Sequence, residues 1–210
     1  MGTLLVSDVI ARAQNVLNDV NVRWPTAELI AWINDAQREI ATVQPESTAK
    51  TANVVMTLGT KQTLPAGAIA LIRLTRNMGV GGTTPGEAPR PASMLLMDLF
   101  RPLWHTDTAT VVVKNYMPEK ASPRNFYVWP PMSAATYVEA VYSIIPTPVA
   151  ATTDTITLDD FYLIPITDHV LSRCFSKDAE NQNMMQRAAA HRTAFENALG
   201  MTAKAEPTPP

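Results

Sequence analysis

The feature that most constrains this 210-residue chain is a change of period. Apolar residues recur at helical spacing at both ends and at strand spacing between them. Near the start, Val6, Val9, Ile10, Ala13, Val16, Leu17 and Val20 share one helical face, with Arg12, Gln14 and Asn15 mostly on the other. Asn18, Asp19 and Asn21 break that pattern. A second helix is predicted from Pro25, a favourable first-turn residue, with Glu28 near the positive end of the dipole. Its stripe is Leu29, Ile33, Ala36, Ile40 and Val43, and Pro45 ends it. Two such helices on a short link make a hairpin whose members cannot bury their stripes alone.

From about Thr51 the texture is that of strands. TANVVMTL, then Gly59-Thr60, then KQTLP predicts a hairpin, and AIALIRLTRNM a buried strand after it. Residues 79–92 carry four glycines and three prolines and are predicted to form a loop. Ser93 can cap a short helix through Phe100, which Pro102 stops. TATVVVKNY, NFYVWP and TYVEAVYSI supply further strands. Helical spacing returns after Asp159-Asp160, which read as capping carboxylates. Pro165 suits a first turn, and Ile166, Val170, Leu171, Cys174 and Asp178 mark one side. Asn181-Gln182-Asn183 weakens the helix. Met184, Met185, Ala188, Phe195 and Leu199 then form another stripe, closed by Gly200. The expected fold is α+β: a helical bundle from both chain ends, residues 1–48 and 159–200. Inserted in it at 49–158 is an antiparallel β-sandwich or barrel-like domain. Residues 201–210 are a flexible tail.

Composition narrows the function. With 46% hydrophobic and 17% charged residues the chain can bury a core. Net charge is −2 and no run of Lys and Arg occurs, which argues against a tight grip on nucleic acid. The lone cysteine, Cys174, rules out an internal disulfide and reads as a buried thiol among Val170, Leu171 and Phe175. MGTLLVSDVIARAQ does not read as a signal peptide, and no apolar run approaches the ~20 residues of a membrane span. The expectation is a soluble protein made in a reducing cytoplasm. The glycine loop at 79–86 lacks the lysine of a phosphate cradle. His105, His169 and His191 have no second His or Cys at ligand spacing, so no metal site is expected. No Gly-x-Ser-x-Gly turn is present, and Cys174 lacks the context of a catalytic thiol. No catalytic, cofactor-binding or metal-ligating residue is therefore expected. Trp24, Trp32, Trp104 and Trp129 read as core or interface packing rather than base-stacking platforms, since NFYVWPP has only Arg124 nearby and alternates like a half-buried strand.

The run Arg23-Trp24-Pro25-Thr26-Ala27-Glu28-Leu29-Ile30-Ala31-Trp32-Ile33-Asn34-Asp35-Ala36-Gln37-Arg38-Glu39-Ile40 resembles the second-helix signature of tailed-phage head-to-tail adaptor (connector) proteins. Asp159-Asp160-Phe161-Tyr162, Ser176-Lys177-Asp178-Ala179-Glu180 and Ala190-His191-Arg192-Thr193-Ala194-Phe195 resemble that family too. So do Arg76-Asn77-Met78-Gly79 and Phe126-Tyr127-Val128-Trp129-Pro130-Pro131. The resemblance implies a non-enzymatic virion protein at the head–tail junction. It would form a ring, typically of twelve subunits, beneath the portal protein. That ring would pass double-stranded DNA without sequence-specific binding and dock tail or nozzle proteins. The alternative is a tail-tube or tail-completion subunit, which the starting helical hairpin disfavours. The family's matched positions make Trp24, Trp32, Asn34, Asp35, Arg38 and Asp178 candidate subunit or partner contacts. Asp35 and Arg38, an i,i+3 pair off the apolar stripe, either face a neighbouring subunit or pair with each other in water.

Overall fold

A computed structural model describes residues 3–19, 22–177 and 182–201. The fold is α+β. Its helices are α1 (Val6–Leu17), α2 (Thr26–Val43), α3 (Met94–Phe100), α4 (Leu163–Lys177) and α5 (Gln182–Ala198). Its strands are β1 (Ala49–Met56), β2 (Gly59–Thr63), β3 (Ala68–Gly79), β4 (Arg90–Pro91), β5 (Asn115–Pro118), β6 (Asn125–Met132) and β7 (Thr136–Ile144). The chain divides into two compact units, Met1–Ser47 with Pro146–Pro210, and Thr48–Ile145.

The first unit buries the helical stripes in one core. Val6, Val9, Ile10 and Ala13 come from α1, and Leu29, Ile33, Ala36 and Ile40 from α2. Ile166, Val170, Leu171 and Cys174 come from α4, and Ala188 and Phe195 from α5. Val16 and Val43, at the ends of their stripes, are exposed. Asn18 stops α1 in the left-handed conformation, with φ 49°. Pro165 sits in the first turn of α4, where its missing N–H breaks no intrahelical bond.

Residues 146–158, grouped with the strands on sequence, pack with the helices instead. Val149, Ile156 and Leu158 join the helical core. Carbonyls of this segment also satisfy the free N–H groups at the start of α1. Val6 N–H donates to Asp154 O at 3.1 Å and Ser7 N–H to Thr152 O at 3.0 Å. Asp160 does not cap a helix with its side chain. Its carboxylate accepts from Thr3 N–H at 2.8 Å and Thr3 Oγ1 at 2.7 Å, tying residue 3 to the segment before α4.

The second unit contains two sheets, ordered β1-β7-β3 and β2-β6-β5-β4. Val54, Met56 and Val138 from the first and Phe126 and Val128 from the second share one core. Among the described residues neither sheet closes on itself, so the barrel-like alternative does not hold. Pairing is antiparallel except between β4 and β5, which run parallel. The hairpin expected across Gly59-Thr60 is not formed, because β1 pairs with β7 and β2 with β6. Gln62 explains the corner. Its buried amide accepts from Thr57 N–H at 2.7 Å and donates to Thr57 O at 2.8 Å and Gly59 O at 3.2 Å. A side chain thus supplies the partners that a facing strand would otherwise supply.

Candidate docking surfaces

The α2 signature is read differently by its two faces. Before the helix, Asp19 accepts from the N–H groups of Arg23 at 3.2 Å and Trp24 at 3.3 Å. That turn aims Trp24 inward, leaving it 3% exposed. Its ring lies 6.3 Å from that of Trp32, which is half-buried against the same core. Asn34, off the apolar stripe, also points to the protein. Its Nδ2 donates to Val149 O at 2.9 Å and its Oδ1 accepts from Val149 N–H at 2.8 Å. Gln37, which sequence reading passed over, accepts from Thr157 N–H at 3.2 Å and is buried. Together these amides hold the incoming 146–158 segment along α2. Asp35 and Arg38 pair at 3.1 Å and are each about half exposed. Asp178 lies outside the described residues, as do residues 202–210 of the expected tail.

One helical turn further, Arg192 of α5 grips Glu39 with two guanidinium nitrogens, one at 3.0 Å, and donates to Glu196 at 2.7 Å. The guanidinium holds the Glu39 carboxyl below the usual carboxylate range. His169 is buried beside it, packed edge-on against Phe195. Its Nδ1 stands 3.4 Å from Glu39 Oε2. Neither ring nitrogen has a hydrogen-bond partner among the described residues. Burial outweighs the attraction of Glu39 and pushes the imidazole down to about 4, so it is neutral near pH 7. His191 pairs with Asp168 at 2.8 Å, and His105 with the Thr60 hydroxyl at 2.8 Å. Each histidine therefore has its own local structural setting.

The surface that sequence reading missed is α3. Leu95, Leu96, Leu99 and Phe100, with Leu103 just beyond, are 52–79% exposed. The helix is nevertheless firmly anchored. Trp104, fully buried, donates from Nε1 to Asp98 Oδ1 at 2.8 Å, stacks on His105 and meets Tyr127 edge-on. Asp107 is gripped by Arg101 at 2.8 Å and by the Trp129 indole at 2.7 Å. These bonds, the indole's first, hold the Asp107 carboxyl below its ordinary range. The warning was local: MLLMDLF has a single ionisable residue, too few for a solvent face.

The same unit carries an apolar cleft of about 520 Å³ between the 79–87 loop and Val111–Val112. Buried Asn77 fixes its walls. Asn77 Nδ2 donates to Glu87 O and Val113 O, both at 2.8 Å, and Oδ1 accepts from Val113 N–H at 2.9 Å. Gly82, with φ +71°, lies under Tyr137, and a Cβ there would stand 3.0 Å from the ring. The glycine loop is thus a braced wall. No helix among the described residues is long and apolar enough to cross a membrane.

Compared with known proteins, the chain matches the family model described as SU10 adaptor protein over residues 5–209. No curated protein matches it.

Proposed function

The chain belongs to the SU10 adaptor protein family, a family of phage head–tail adaptors, and on that premise we propose that it is the repeating subunit of a ring. The ring, of twelve copies, sits beneath the portal, continues the DNA channel and offers its far side to tail proteins. The role is structural, and no chemical step is assigned to any residue. Both chain ends form the helical bundle, and the two sheets form a sandwich inserted into it. Trp32, Asp35, Arg38 and Asp178 are the α2 and α4–α5 positions we assign to subunit or partner contacts. Trp24 and Asn34 serve them from inside, by packing and by holding Val149.

The observation that carries this reading is α3. A subunit that worked alone would leave five large apolar side chains in water on a rigid support. A subunit that works inside an assembly covers them. The near-neutral net charge of −2 suits a conduit, since clustered cations would retain passing DNA. Electron microscopy of the purified protein with and without portal rings tests the role. We expect single subunits alone and a symmetric ring on the portal. A chain that leaves portal rings bare at micromolar excess is not their adaptor.

A further inference from the structure

The ring reading requires each subunit to carry two different surfaces that fit each other, because a head-to-tail contact between identical copies cannot use one patch twice. We infer that α3 of one copy seats its apolar face in the cleft between the 79–87 loop and Val111–Val112 of the next. This contact joins neighbours in the ring, and the inference rests on that ring.

Exposure favours a protein-sized partner. The four exposed leucine and phenylalanine side chains of α3, together with Leu103, are each 52–79% exposed, and a cluster of that size marks a protein–protein contact rather than a small-molecule site. Chemistry favours the cleft as the recipient. Leu95 and Leu99 form one i,i+4 ridge and Leu96 and Phe100 the adjacent one. Asp98, the one ionisable side chain of α3, is already engaged by the Trp104 indole. The face offered is therefore apolar throughout. Val80, Pro85, Val111 and Val112 line the cleft, with Glu87 and Lys114 also on its wall. Val80 and Val111 are themselves large exposed apolar groups that need cover.

Placement favours a second copy over the subunit's own helix. The cleft opens beside Lys114, just before the first residue of β5, whereas α3 begins beside Pro118, its last. An anchored helix leaving one end of β5 and a braced cleft at the other are suited to successive copies. Both surfaces are preformed, α3 by Trp104 and Arg101–Asp107 and the cleft by Asn77. Docking therefore orders little chain, which favours affinity.

The test uses the full chain with portal rings. Three proteins are made: Leu95→Glu with Leu99→Glu, Leu99→Cys, and Val111→Cys. Cys174 is buried in the helical core and does not compete for a short bis-maleimide. We expect the double glutamate variant to keep the wild-type melting temperature, because those leucines are already in water. It should lose at least ten-fold in subunits retained per portal. Mixed Leu99→Cys and Val111→Cys chains should cross-link on the portal, and neither should cross-link to itself. Rings that form equally well with the glutamate variant, or without a 99–111 cross-link, would overturn the contact and leave the ring intact. Self-cross-linking of Leu99→Cys would assign α3 to a two-fold contact and overturn the head-to-tail assignment. A wild-type chain that neither binds portal nor self-associates removes the ring, and this contact with it.

Discussion

At the scale of single residues, His169 separates structural from functional histidine. It faces Glu39 and Asp35 on α2, Arg173 on its own helix and Arg192 on α5, and burial still dominates. Its folded value of about 4 lies below the ordinary 6.5 of the unfolded chain. Between those values the unfolded state binds more protons. Stability is therefore full above pH 6.5 and falls as pH drops toward 4. The loss should reach about 2 kcal/mol by pH 5. Denaturant melts from pH 7.5 to 4.5 should show it, and His169→Leu should flatten the slope; an equal slope in both proteins would refute the assignment. Glu39, whose carboxyl Arg192 holds below its ordinary 4.5, adds to the loss as pH falls toward that ordinary value. The α2 polar residues should divide as their contacts do. Asn34→Ala strands both backbone groups of Val149 and should cost about 2 kcal/mol. Asp35→Ala removes a half-exposed pair and should cost under about 0.5 kcal/mol. Urea midpoints of the two variants check the contrast.

At the scale of elements, the corner between β1 and β2 depends on one amide. Gln62 meets Thr57 and Gly59 with both its oxygen and its nitrogen while almost fully buried. Gln62→Ala should cost about 2 kcal/mol, since three backbone groups at the corner lose a partner at once. Gln62→Glu keeps the acceptor toward Thr57 N–H but turns a carboxylate oxygen toward two carbonyls. It should be at least as damaging at pH 7, and thermal melts of both variants would expose any error. Gly82→Ala tests the cleft wall separately. Positive φ and the nearby Tyr137 ring together should cost about 2 kcal/mol, and a neutral substitution would mean that the loop is not braced.

At the scale of the whole molecule, the strand-rich unit enters and leaves through adjacent strands. Ala49 of β1 pairs with Ser143 of β7, so the chain's two crossings into this unit lie side by side. Its core draws on its own two sheets. A fragment spanning residues 48–145 should therefore fold alone, with slow hydrogen exchange in β3, β6 and β7. A fragment that exchanges completely within seconds, while the full chain is protected, would show that the insert depends on the helices. The measurement belongs at low micromolar concentration, where contacts through the exposed α3 leucines are fewest.

What the sequence by itself determined was whatever burial on one face imprints locally. The stripes of α1, α2, α4 and α5 were legible because a helix with one dry face repeats its apolar residues every three or four positions. The β7 run TYVEAVYSI was legible because it is rich in β-branched and aromatic residues, which suit a pleated, half-buried strand. The tertiary structure alone decided which strands meet. TANVVMTL and KQTLP look like hairpin arms, yet the strands they pair with, β7 and β6, lie more than 60 residues away. Gln62 occupies the place of a backbone ladder that no local pattern encodes. Residues 146–158 carry no helical period, and only the fold draws them to the helices, through burial of Val149, Ile156 and Leu158, the amides of Asn34 and Gln37, and the open N-terminus of α1. Sequence also could not separate Asn34 from Asp35. Both lie off the apolar stripe, but an approaching chain gives only Asn34 a backbone to hold. Polar side chains toward solvent and toward a buried backbone look alike until the fold supplies that backbone.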